Sequence, residues 1–201
     1  MATERVVDLL ERLPPTFATR VARSVGLSSR DLHVLRADGR LLELSRGIYR
    51  RSDAPATAHL DLIAVGLRAP SAIICLESAL ALHELIDDNP ATVHIAVPRG
   101  SWAPQIDYPP TAVSRFDPET FGSGLEMFDA APGERVRVYS PARSVIDVMR
   151  LRHQVGETLA LHALGRFVRR DARHGLADLI NLARQFNVEG PIRTAVEAVL
   201  A

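Results

Sequence analysis

The chain has 201 residues, 47% apolar and 24% charged, a composition that suits one or two folded domains rather than a disordered or fibrous chain. No apolar run approaches the ~18 residues of a membrane span, the acids of the Met1–Asp8 segment displace a signal-peptide core, and a single Cys75 excludes an internal disulfide framework, so a cytoplasmic location is expected. All 24 basic residues are arginine, which removes Walker phosphate loops, Schiff-base lysines, Ser–Lys dyads and lysine-dependent metal nucleases, while the lone cysteine removes cysteine-rich zinc sites.

In chain order, Val6, Leu9, Leu10 and Leu13 recur at helical spacing until Pro14-Pro15 ends the segment. A second helix is expected from about Thr16 to Val25, burying Phe17, Val21, Ala22 and Val25 and turning Arg20, Arg23 and Ser24 outward. Gly26 supplies a left-handed stop, and Ser28 with Asp31 forms a capping box for a third helix ending at Gly39. Two short helices joined by a glycine-containing turn form a helix-turn-helix. Arg40–Leu44 then reads as a strand, Ser45-Arg46-Gly47 as a tight turn and Ile48–Arg51 as the returning strand, which together make a wing.

On the third helix Leu32 and Leu35 face inward, leaving Ser29, Arg30, His33 and Arg36 outward, side chains suited to base edges in a major groove. Arg46 marks the wing tip, with Arg40, Arg50 and Arg51 beside it as candidate phosphate or minor-groove contacts. The structural alternative is a winged helix used for protein contacts, with its arginines merely solvated.

Ser52–Thr57 breaks both periodicities, so the expected organisation is a winged helix-turn-helix DNA-binding domain over 1–53 and an α/β partner-binding domain over 54–201. In the second part, helices are expected near Thr57–Arg68 and Leu76–Leu85. Strands follow near Thr92–Val97, Thr111–Phe116, Leu125–Asp129 and Arg135–Tyr139. Ser140-Pro141 caps a helix toward Arg152, and three more helices follow near Glu157–Arg170, Leu176–Phe186 and Pro191–Leu200. The fold class is α+β: a winged head, then a mixed domain with a small sheet and a helical C-terminal part.

Several of these segments together resemble one family. Val21–Ser28, Leu35–Leu41 and Ser45–Tyr49 in the head are similar to the N-terminal domain of AbiEi-type antitoxins of type IV toxin–antitoxin (abortive-infection) systems, among which the mycobacterial MenA antitoxins are similar too. Leu76–His83, Val93–Pro98 and Tyr139–Asp147 resemble that family's second domain. The resemblance implies an autorepressor that binds the promoter DNA of its own operon and counteracts a cognate nucleotidyltransferase toxin through its second domain. It implies no enzyme activity, no cofactor, no metal and no membrane partner.

Charge is distributed unevenly. Residues 1–51 hold ten arginines against six acids, residues 52–133 three against eleven, and residues 134–193 eleven against six. The basic ends favour an anionic partner. Arg166, Arg169, Arg170 and Arg173 fall at i, i+3, i+4 and i+7, a stripe that could meet DNA, meet the toxin or simply face solvent. Elsewhere chemistry is thin. Gly122-Ser123-Gly124 lacks a dinucleotide fingerprint, His83-Glu84 lacks a second histidine, and Asp87-Asp88 reads as a solvated helix end. Two rival classes follow: a stand-alone winged-helix transcriptional regulator with a ligand-sensing or oligomerising C-terminal domain, and a nuclease, which the absence of lysine disfavours.

Overall fold

The computed structural model describes residues 2–170 and 174–200. The chain opens with helix α1 (Glu4–Glu11), strand β1 (Thr16–Ala18), helices α2 (Thr19–Ser24) and α3 (Ser29–Ala37), and strands β2 (Leu41–Ser45) and β3 (Ile48–Arg51). It continues through helix α4 (Leu60–Arg68), strand β4 (Ile73–Ile74), helix α5 (Leu76–Leu82) and strands β5 (Val93–Pro98), β6 (Thr111–Phe116), β7 (Leu125–Ala131) and β8 (Glu134–Tyr139). Helices α6 (Pro141–Arg150), α7 (Arg152–Val155), α8 (Glu157–Arg170), α9 (His174–Gln185) and α10 (Glu189–Leu200) complete it. This is the α+β architecture expected: a winged helix-turn-helix, then a mixed domain with helices at its C-terminal end.

The head departs from expectation at residues 16–18. They form a strand rather than the first turn of a helix, pairing antiparallel with β3 in the register Thr16↔Arg50, Phe17↔Tyr49, Ala18↔Ile48. Helix α2 therefore begins only at Thr19, whose amide donates to the Gly47 carbonyl at 2.8 Å. The reason is tertiary: β3 has a second edge, and β1 satisfies its backbone groups while burying Phe17 at 1% exposure. The small sheet thus runs β1-β3-β2. Phe17 joins Val6, Leu10, Leu13, Ala22, Leu27, Leu32, Leu35 and Leu41 in the core of the head.

The second sheet has five strands in the order β6-β5-β4-β8-β7. The short strand β4 was not legible as a separate element. It pairs antiparallel with β5 (Ile73↔Ala96, Ile74↔Ile95) and parallel with β8 (Ile74↔Val138), making the sheet mixed. Helix α6 packs against α5, α8 and α9 and is buried along nearly its whole length, from Ala142 to Met149.

The chain divides into two compact units. The first holds residues 1–71 with 104–111 and 128–136; the second holds 72–103, 112–127 and 137–201. The unit containing the winged head therefore extends beyond residue 53. Helix α4 lies against β1, β2 and β3, where Ala64 forms a small core with Leu44 and Ile48, and Leu60 and Leu67 pack at its edge. The turn between β7 and β8 belongs to this unit as well.

Candidate nucleic-acid interface

Helix α3 starts at a complete capping box. Ser28 Oγ accepts from the Asp31 amide at 3.1 Å while Asp31 Oδ2 accepts from the Ser28 amide at 2.8 Å. A cap of this kind contributes about 1 kcal/mol and sets where the helix begins. The hydrogen bonds from Ser28 also hold the Asp31 carboxyl below its ordinary range. With Leu32 and Leu35 anchored in the core, Ser29, Arg30, His33 and Arg36 all turn outward. Ser29 Oγ accepts from Arg23 Nη2 of α2 at 3.1 Å, and Arg30 and His33 are exposed.

The wing turns tightly at Arg46-Gly47, where Gly47 has φ +76°. A side chain there would be strained and would crowd Thr19 Oγ1, 3.0 Å from the position of a Cβ. Arg46 stands exposed at this tip, and Arg40 is exposed at the base of β2. Between α3 and β2 lies an open groove of about 420 Å³ lined by His33, Arg36, Ala37, Leu41, Leu42 and Glu43. Arg36 Nη1 pairs across it with Glu43 Oε2 at 2.6 Å.

Two of the expected DNA contacts are placed otherwise. Arg50 is 5% exposed. Its guanidinium donates to Thr16 Oγ1 and Glu134 Oε2, each at 2.6 Å, and to the Pro55 carbonyl. It is a buried structural cation, not a surface residue. The signal was present: on a strand with period two, Arg50 shares the inward face of Ile48. Arg51 is half-buried, clamped on Asp53 at 2.6 Å and donating to the carbonyls of Glu11 and Leu13. The clamp raises the Arg51 guanidinium and lowers the Asp53 carboxyl from their ordinary values. The exposed set thus contracts to Ser29, Arg30, His33, Arg36, Arg40 and Arg46.

The basic stripe on α8 is also partly engaged. Arg166 Nη1 pairs with Asp87 Oδ1 at 2.7 Å, and Arg170 Nη1 donates to the His83 carbonyl at 2.7 Å with Glu84 Oε2 3.7 Å away. Arg169 is exposed and lies alongside Gly165; Arg173 lies outside the described residues. Of the two acids expected at a solvated helix end, Asp87 is a partner of the stripe while its side chain stays 74% exposed.

Sequence reading missed a buried charge cluster in the second unit. Arg143 is wholly buried and Asp147 1% exposed, joined by Nε–Oδ2 at 2.8 Å. Arg143 also donates to the carbonyls of Thr120 at 2.8 Å and Ser123 at 2.7 Å, and its guanidinium lies 4.2 Å from the Tyr139 ring centroid and 4.3 Å from that of Phe186. Burial pushes the Asp147 carboxyl up to about 6, against the pull of Arg143 and Arg150. Arg143 and Asp147 at i, i+4 inside an apolar helix were the available signal. Arg143 Nη2 is buried and makes no hydrogen bond among the described residues.

Among the described residues no group of three or more His, Cys, Asp or Glu side chains is placed to hold a metal. No helix among them is long and apolar enough to cross a membrane. The architecture defines a winged-helix protein with an appended mixed α/β domain. No family model and no curated protein matches the sequence. Among solved structures the chain is similar to the Rv2827c protein from Mycobacterium tuberculosis, at 14% identity and a TM-score of 0.66, over 97% of this chain and 75% of that one.

Proposed function

We propose that this chain is an antitoxin of the AbiEi type. It represses its own operon by binding promoter DNA and counteracts a cognate nucleotidyltransferase toxin encoded beside it. The observation that carries the reading is the outward face of α3, with Ser29, Arg30, His33 and Arg36 standing beside an arginine-tipped wing. That face combines donors for base edges with cations for phosphates. All of these residues lie in segment 1–53, the proposed DNA-binding part. Segment 54–201 carries the toxin-directed function in this proposal and also supplies α4 as support for the head.

The stripe on α8 then serves the antitoxin part. With Arg166 and Arg170 occupied by Asp87, Glu84 and the His83 carbonyl, its first role is to hold the exit of α5. Among the described residues of the stripe, Arg169 is the member presented to a partner.

The test uses the full chain. Footprinting on DNA upstream of its gene should show protection, with log affinity falling against log salt by about 0.9 per phosphate neutralised. Co-expression should relieve growth arrest caused by the neighbouring nucleotidyltransferase. Repression without rescue would assign the chain to stand-alone regulators, and absence of protection at low salt would overturn the DNA-binding reading.

A further inference from the structure

Glu43 is an acid in the middle of a surface proposed to meet a polyanion, where it opposes phosphate binding. Its two carboxylate oxygens are both employed. Oε2 pairs with Arg36 Nη1 at 2.6 Å, and Oε1 accepts from the Gly47 amide of the wing turn at 3.0 Å. The side chain is about half as exposed as its partner, 23% against 46%. The β2–β3 register shifts between Glu43 and Ser45, so the carboxylate sits beside the irregular part of the hairpin. One residue therefore ties the wing turn to the outward face of α3.

We infer that Glu43 is a positioning residue for sequence reading: it holds Arg36 in one pose over the groove and fixes the wing against the reading helix. An unpaired arginine samples many rotamers, and selecting one on binding has an entropic cost. Pairing one guanidinium edge to a carboxylate that is itself anchored removes much of that freedom. It leaves the other edge of Arg36 for a guanine, which arginine recognises through two parallel hydrogen bonds. The carboxylate weakens attraction to DNA of any sequence while sharpening the choice among sequences, a trade of affinity for discrimination. This inference rests on the operator-binding reading above.

The test compares binding of a promoter fragment and a random fragment of equal length by wild type, Glu43→Gln, Arg36→Ala and the double variant, in the full chain. Glutamine keeps the size and the acceptor for the Gly47 amide but loses the charge that holds Arg36. The expected result is a fall of about tenfold in the promoter-to-random ratio for Glu43→Gln, with affinity for random DNA unchanged or raised. In the Arg36→Ala background the same change should leave the ratio where it was, because the residue that Glu43 positions is gone. Glu43→Ala, which removes both contacts, should lose discrimination at least as far. A ratio unchanged by Glu43→Gln overturns the inference, as does an equal loss with and without Arg36. If wild type itself fails to distinguish the fragments, the operator-binding reading falls and this inference with it.

Discussion

Arg50 Nη1 lies 2.6 Å from Glu134 Oε2, with both side chains less than a tenth exposed and the two residues 84 positions apart in the chain. The pair ties the returning strand of the wing to the first residue of β8 inside one compact unit. A buried charge that loses its partner is left uncompensated, whereas replacing both partners by apolar residues removes the problem. Arg50→Ala should therefore destabilise the full chain by about 3–5 kcal/mol, and Arg50→Met with Glu134→Leu should recover most of that. Urea unfolding of the two variants checks this; equal losses in both would show that packing, not charge, is at stake. A cut at residues 52–57 would strand Glu134 from Arg50 and uncover Ala64, which packs on Leu44 and Ile48.

Arg30 and Arg46 should fail differently. If Arg30 reads a base from α3, Arg30→Ala costs about 1–3 kcal/mol on promoter DNA and relaxes discrimination. Arg46→Ala at the wing tip should weaken promoter and random DNA alike and reduce the salt slope by about one contact. Titrations at three salt concentrations separate the two. Arg50→Ala, by contrast, should affect DNA binding only through stability.

The buried cluster makes stability depend on pH. Asp147 is raised from an ordinary 3.8 to about 6 by burial, so between those values the folded chain keeps a proton that the unfolded chain releases. The contribution is fully present below about 4 and is lost as pH rises to about 6, at roughly 1.4 kcal/mol per unit within that window. Asp31 and Asp53, which are lowered, act in the opposite sense as pH falls. Asp147→Asn isolates the effect. The stability difference between wild type and variant should shrink with rising pH and level off above about 6.5, measured by unfolding in urea; a difference independent of pH would contradict it.

Cys75 is fully buried, and burial raises its thiol well above the ordinary value. At pH 8, where an exposed cysteine is partly thiolate, the native chain should resist alkylation. Labelling should appear only along the urea transition that opens the second unit. Rapid labelling of the native chain at pH 8 would place the thiol at the surface instead.

Local chemistry determined α3, because a capping box, a left-handed glycine and an i, i+3 apolar pair act within ten residues of one another. Ser28, Asp31, Gly26, Leu32 and Leu35 carry the whole of α3, and Ser140-Pro141 does the same for α6, where Ser140 Oγ accepts from the Arg143 amide. Strands β1 and β4, of three and two residues, have no period long enough to read; they exist because β3, β5 and β8 offer edges to pair. The roles of the arginines were decided the same way. Arg30, Arg50 and Arg166 are one residue type, and helix faces, wing position and spacing pointed all three to a basic surface. Only the fold brought Glu134 to Arg50 and Asp87 to Arg166, across 84 and 79 residues, since whether a charge is free or spent depends on partners that chain topology alone delivers.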